Sequence, residues 1–196
     1  MGTTARFVRL IFVGACVLAL GALLASASSA HSAPSTGPGD ALDPRTYAPE
    51  SKLFLAVHAT GVQKYTCQAS GTWVFTDPEA ALSKASGAGK PIGSHFLNVA
   101  TGRPVWEAKD GSAVEAARTA SAPAGTGNIP ALLLHAVVTT AGSDGDRLAG
   151  TTWVQRLNTA GGVAPAGTCA PGSTVAVPYG ADYFFWKALG GDESDD

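Results

Sequence analysis

Leu53-Phe54-Leu55-Ala56-Val57-His58, then Gly61, then Val62-Gln63-Lys64-Tyr65-Thr66-Cys67, then Gly71 and Thr72-Trp73-Val74-Phe75-Thr76 follow one another along the chain. Each run is short, rich in β-branched and aromatic residues, and halted by a glycine, which is the pattern of strands joined by turns. It recurs downstream at Ile92 to Leu97, Val105 to Ala108, Thr151 to Leu157, Ser173 to Val177 and Tyr183 to Lys187. Lys109-Asp110-Gly111 marks a tight turn joining the strand at 105–108 to Ser112–Ala116 as a hairpin. In Thr151–Leu157, Trp153, Gln155 and Leu157 alternate with Val154 and Arg156, so the two faces of that strand are separable. Leu132-Leu133-Leu134-His135-Ala136-Val137-Val138 fits a buried strand or a short helix, because a continuous apolar run carries no period. Asp77-Pro78-Glu79-Ala80-Ala81-Leu82 predicts one helical turn, with Asp as N-cap and Pro at the first helical position. About nine short strands with no long helices between them predict an all-β domain, mainly an antiparallel sandwich or barrel, with one or two short helical turns.

The flanks have a different character. Residues 1–30 place Arg6 and Arg9 ahead of an apolar run, Leu10 to Leu24, followed by the small-residue triplets Ala25-Ser26-Ala27 and Ser28-Ser29-Ala30. Charge, apolar run and small residues in that order predict a secretory signal peptide, cleaved after Ala27 or Ala30. A retained membrane anchor would need about 20 apolar residues, and this run is shorter. Cys16 lies inside the run, too early for a lipid-modified cysteine, and reads as one more apolar residue. Residues 31–49, rich in Ser, Pro and Gly, predict a flexible lead-in; residues 50–189 predict a single β-rich domain. Residues 190–196 form an acidic tail carrying Asp192, Glu193, Asp195 and Asp196.

Of 13 Lys+Arg in the 196 residues, loss of Arg6 and Arg9 leaves 11 against 15 acids, so the net charge of -2 becomes -4. That excess of four sits in the tail, and the body is electrically neutral. A neutral body excludes the basic face that nucleic acid requires. Cleavage also removes Cys16 and leaves Cys67 and Cys169, which in an exported chain are expected to pair rather than persist as two thiols. Such a bridge would stabilise by roughly 4–5 kcal/mol in the chain-entropy treatment.

Familiar catalytic signatures are missing. There is no G-x-S-x-G, no H-E-x-x-H and no N-x-[ST] sequon, and Gly87-Ala88-Gly89-Lys90-Pro91 lacks the spacing and the hydroxyl residue of a phosphate-binding loop. No cofactor and no metal is expected. His58, His95 and His135 are too far apart in sequence for spacing alone to suggest a metal site. His58 and His135 lie in apolar strands, where a hydrogen-bonded core imidazole is the usual state. His95 stands close in sequence to Trp106, Glu107 and Asp110, so these four are the candidate site: base, platform and acids around one hairpin, or simply a hairpin rim with a core Trp. Trp73, Trp106, Trp153 and Trp186, with Tyr179 and Tyr183, suit a carbohydrate-stacking surface or the filling of a β core.

Together these pieces resemble a known family. Gly61 to Cys67, Trp73-Val74-Phe75 with Pro78-Glu79-Ala80, and Gly93-Ser94-His95-Phe96 come first. Trp106-Glu107-Ala108 with Asp110-Gly111-Ser112, and Ile129-Pro130 with Leu132-Leu133-Leu134, come next. Gln155 to Gly162 with Ala164-Pro165, and Val177-Pro178-Tyr179 with Ala181-Asp182-Tyr183, complete the series. The ordered series resembles a secreted family of bacteria and fungi catalogued as domain of unknown function 3455, over about residues 50 to 188. The two cysteine positions match its pattern. The resemblance implies no catalytic residue, since none is known for the family. Fungal relatives are sometimes labelled malate dehydrogenase; no dinucleotide fingerprint or βαβ pattern is present here to support an NAD-dependent dehydrogenase.

The expectation is therefore a secreted, disulfide-stapled β-domain that binds an extracellular ligand, a glycan or cell-wall component. An extracellular enzyme using the His95/carboxylate group and a structural envelope protein are the alternatives.

Overall fold

A computed structural model describes residues 42–48, 50–84 and 89–189. The signal segment, the start of the lead-in and the acidic tail lie outside these residues. After one helical turn, α1 (Pro44–Tyr47), come β1 (Ser51–Cys67), β2 (Trp73–Lys84), β3 (Gly93–Asn98) and β4 (Arg103–Ala108). β5 (Ala113–Ala122), β6 (Ala131–Thr140), β7 (Trp153–Gly161) and β8 (Thr174–Ala188) follow. Each strand pairs antiparallel with the next, and β8 returns to β1, so the sheet is an all-β closed up-and-down barrel. Closure removes both sheet edges and gives every strand one inward and one outward face. The long run 132–138 is strand, buried on one side at Leu134 and exposed at His135 and Val137.

Fewer, longer strands form than the glycines suggested. Leu53–His58 and Val62–Cys67 are one strand, as are Ser173–Val177 and Tyr183–Lys187. Gly61 does not turn the chain. It sits mid-strand opposite Ala80 and Tyr179, and a Cβ there would come within 2.5 Å of the Ala80 Cα, so its lack of a side chain permits a close backbone approach.

The helical turn expected at Asp77–Leu82 is instead part of β2. Pro78, Ala80 and Leu82 are buried while Glu79 and Ala81 are exposed, a period of two that outweighs the local capping signal. Proline is tolerated because β2 pairs with β3 only from Ala80 to Leu82. Ahead of that stretch the Asp77 carboxylate accepts the Leu97 N–H at 2.9 Å in place of a backbone acceptor. The helical turn that does form is α1, where the Asp43 side chain accepts the Arg45 N–H and Pro44 opens the turn.

Part of the expected flexible lead-in is therefore ordered on the outer wall. Leu42 is fully buried in a cluster with Ala122, Ala131 and Leu133 on the outside of β5 and β6. Its carbonyl accepts the Gln155 Nε2 at 2.5 Å, and Gln155 Oε1 accepts the Trp186 indole N–H at 3.1 Å. The main core lies inside the barrel, around Val57, Leu82, Trp106, Val114, Leu134, Val154, Tyr183 and Phe185. Cys67 and Cys169 form a disulfide with their Cα atoms 5.8 Å apart. It joins the end of β1 to the loop ahead of β8, beside the seam that closes the barrel.

Candidate functional site

The interior is divided along the barrel axis. At the end where β2 runs into β3 and β4 into β5, Leu55, Val57, Leu82, Ile92, Ala108 and Phe185 meet Leu148 and leave a void of only about 10 Å³. At the opposite end, which carries the disulfide, a cavity of about 550 Å³ opens to solvent. Eight strands enclose enough space for one small ligand when side chains do not fill it. Here they fill one half only.

His95 and Trp106 are cross-strand partners on β3 and β4, both facing the lumen. Their rings stack with centroids 4.5 Å apart and planes 7° from parallel. Tyr183 of β8 meets both edge-on, at 5.1 and 5.2 Å. This trio is the inner wall of the cavity. Above it stand Gln63, Tyr65 and Phe75 on one side and Leu132, Leu134 and Arg156 on the other.

The His95 Nδ1–H donates to the Val105 carbonyl at 2.8 Å. Burial pushes the imidazole down to about 3; the bond to Val105 opposes this weakly and the charge of Arg156 adds to it. The ring is therefore neutral at physiological pH, and its Nε2 carries no proton and is an acceptor. A base that far below neutrality is poorly matched to proton transfer.

Three buried polar atoms on this wall have no hydrogen-bond partner: Gln63 Nε2, Trp106 Nε1 and the Tyr183 hydroxyl. The Tyr179 hydroxyl is in the same condition beside them. Burial raises both tyrosines well above the usual phenol range, so each remains a neutral O–H. Gln63, Tyr179 and Tyr183 are near enough to influence one another's ionisation, yet none makes a well-formed bond. Unpaired buried donors cost about 1–3 kcal/mol each when nothing satisfies them, which is a cost a bound ligand can relieve.

The four candidate residues divide between two faces and two ends. His95 and Trp106 enter the lumen. Glu107, one residue further along β4, alternates outward and is exposed opposite Ser94. Asp110 lies in the β4–β5 turn at the closed end. It accepts from the Ser112 amide at 3.0 Å, the Ser112 hydroxyl at 2.6 Å and the Arg147 amide at 3.1 Å. The Ser112 hydroxyl holds the carboxyl below its usual range, with burial opposing and the two amides and the Arg147 charge assisting. Ser112 Oγ in turn accepts the Leu148 N–H, so Asp110 anchors the loop that plugs the barrel.

The other two histidines are not core imidazoles. His58 points outward and its Nδ1 meets Asp182 Oδ1 at 2.8 Å; His135 is exposed with its ring edge-on to Trp153. Among the described residues no three His, Cys, Asp or Glu side chains gather as a metal site. Of the tryptophans, Trp106 alone lines the lumen, while Trp153 and Trp186 are half-buried on the outer side.

Gln63, Tyr65, Arg156 and Tyr183 were absent from the candidate set. One signal pointed to Arg156: it shares a strand face with Val154, and a cation on the apolar side of a strand is a reason to look for a cavity.

Fold and site define an up-and-down barrel with a single solvent-open lumen. The chain belongs to the family described as Protein of unknown function (DUF3455), whose model matches residues 48–187. No curated protein and no solved structure matches it.

Proposed function

We propose that this is an exported binding protein that takes one small molecule into the barrel lumen through the disulfide-bearing end. The observation that carries this reading is the 550 Å³ cavity, open at one end only and lined by buried donors without partners. That volume falls in the usual range for small-molecule sites, and an apolar wall with a few convergent polar atoms is their usual composition. Export is supported by the amino-terminal signal pattern and by the disulfide, which persists in oxidising compartments. Among the described residues no helix is long and apolar enough to cross a membrane.

A glycan chain laid across surface tryptophans is the less favoured reading, because the cavity takes one compact molecule and Trp106 is the tryptophan that lines it. The geometry favours binding over acid–base catalysis, because His95 is a weak base and the carboxylates of its hairpin face elsewhere.

Two measurements test the proposal. Protein recovered from the growth medium should begin after Ala27 or Ala30, and native mass spectrometry should show an adduct that denaturation releases. Leu132→Trp, which places an indole in the cavity, should abolish that adduct while the melting transition is kept. A glycan panel that binds equally to wild type and Leu132→Trp would replace lumen binding with surface recognition.

A further inference from the structure

We propose that the lumen selects small aromatic carboxylates, with the carboxylate at Arg156 in the mouth and the ring against His95, Trp106 and Tyr183. The inference rests on the lumen being the binding site and adds the chemical class of its ligand.

The first argument is charge. Arg103, Arg118 and Arg156 line the cavity and no Asp or Glu does, although the chain as a whole carries a net charge of -2. Arg103 is compensated by Glu115 at 3.3 Å. Arg118 and Arg156 have no ion pair among the described residues. The Arg156 guanidinium is nonetheless held in place, because its Nε and Nη2 donate to the Pro130 carbonyl at 3.1 and 2.9 Å. A neutral carbonyl orients the group without cancelling its charge. Register places Arg156 directly beside Tyr183. Its positive charge reaches His95, Tyr65, Tyr179 and Tyr183, in each case favouring the less protonated form.

The second argument is the balance of donors and acceptors. Gln63 Nε2, Trp106 Nε1 and Arg156 can only donate, and the partnerless Tyr183 hydroxyl can donate as well, while His95 Nε2 is an acceptor. A purely apolar ligand leaves the donors unsatisfied, and a cation is repelled by the two free arginines. An oxyanion accepts from several donors at once, through charge-assisted bonds that are about twice as strong as neutral ones.

The third argument is the shape of the lining. Trp106, His95 and Tyr183, with Tyr65 and Phe75 nearer the mouth, present ring faces and edges. Such a lining receives a flat ring by edge and face contacts.

Calorimetric titration of the disulfide-intact protein with naphthalene-2-carboxylate and naphthalene-2-carboxamide tests the inference, because the two probes share a ring and differ in charge. The carboxylate should bind about tenfold or more tighter than the amide. Arg156→Met should erase that preference while the amide affinity stays within about twofold, and Arg156→Lys, which keeps the charge, should retain part of it. If Arg156→Met fails to fold by thermal melting, the wild-type ratio and Arg156→Lys decide the matter. Equal binding of the two probes, or a preference that survives Arg156→Met in a folded protein, overturns the anion inference and leaves lumen binding standing. Absence of binding by both probes overturns the aromatic-carboxylate inference, while lumen binding is decided separately by the adduct and its loss in Leu132→Trp.

Discussion

The two ends of the barrel are built from the same strands and the same alternation, yet one is solid and the other hollow. At the closed end the loop between β6 and β7 folds inward. Leu148, only 1% exposed, is pinned by the Ser112 hydroxyl, and Ser112 is pinned by Asp110. At the open end the loop between β7 and β8 is tied sideways to β1 by the disulfide, and no side chain of that loop lines the cavity. The difference teaches that inward-facing apolar residues alone do not decide whether a small barrel is filled. Where the loops are anchored decides it, and the polar groups are arranged accordingly: Asp110 and Ser112 are bonded under the plug at the closed end, while Gln63 Nε2, Trp106 Nε1 and the Tyr183 hydroxyl stand without partners at the cavity.

That contrast can be broken from either end. The largest effect should come from removing the disulfide. Cys67→Ala with Cys169→Ala opens a loop spanning a sequence separation of 102, and the chain-entropy treatment gives a loss of about 4–5 kcal/mol. Chemical denaturation with and without reductant would measure it, and a loss below about 1 kcal/mol would show that the rim holds without its staple.

Leu148→Ala should be next, costing about 3 kcal/mol for a buried leucine at a site with little room to collapse. It should also admit a small apolar probe to the closed end, read by dye fluorescence. Asp110→Asn should weaken the same plug, in the same direction and by less; a variant as stable as wild type would mean that Leu148 stays in place without that anchor.

A smaller, graded effect concerns pH. His95 is held near 3 in the folded protein, whereas an unfolded histidine titrates near 6.5. Between those values the unfolded chain binds a proton that the folded chain excludes, so stability is greatest above about pH 6.5 and falls as the pH drops. The slope contributed by this one group approaches about 1.4 kcal/mol per pH unit. His95→Gln should flatten the decline between about pH 6.5 and 5, above the ordinary carboxylate range. An unchanged decline would refute the assignment.

The smallest effect is expected at Glu107. Its outward, exposed position predicts that Glu107→Gln changes stability by no more than about 0.5 kcal/mol and leaves ligand binding intact. Any loss of binding would place the site on the outer wall instead.

Much of this fold was legible in the residues, and the failures have physical causes. Alternation at Trp153–Leu157 set Val154 and Arg156 on one face, and that is the lumen face. Asp77-Pro78 read as a helix start because the local capping pattern does not reveal that β3 will present its Leu97 N–H to the Asp77 carboxylate. Gly61 read as a turn because glycine breaks a pattern equally whether the chain reverses or two backbones merely come close. His58 and His135 read as core because a nearly continuous apolar run hides which of two faces each residue takes. Within the candidate set, proximity in sequence grouped His95, Trp106, Glu107 and Asp110, but strand alternation turns each next residue to the other side of the wall.

What the sequence determined by itself was the class: an all-β architecture, the disulfide partners and the chemistry available to the strands. These follow from period and β-propensity, and from the expected loss of Cys16 with the signal segment, which leaves one pairing. What only the tertiary structure decided was which side chains share the enclosed space. That depends on register between strands distant in the chain and on closure of β8 against β1, and neither is encoded in any single stretch of residues. Arg156 beside Tyr183, and His95 beneath the mouth rather than on a rim, are consequences of that closure.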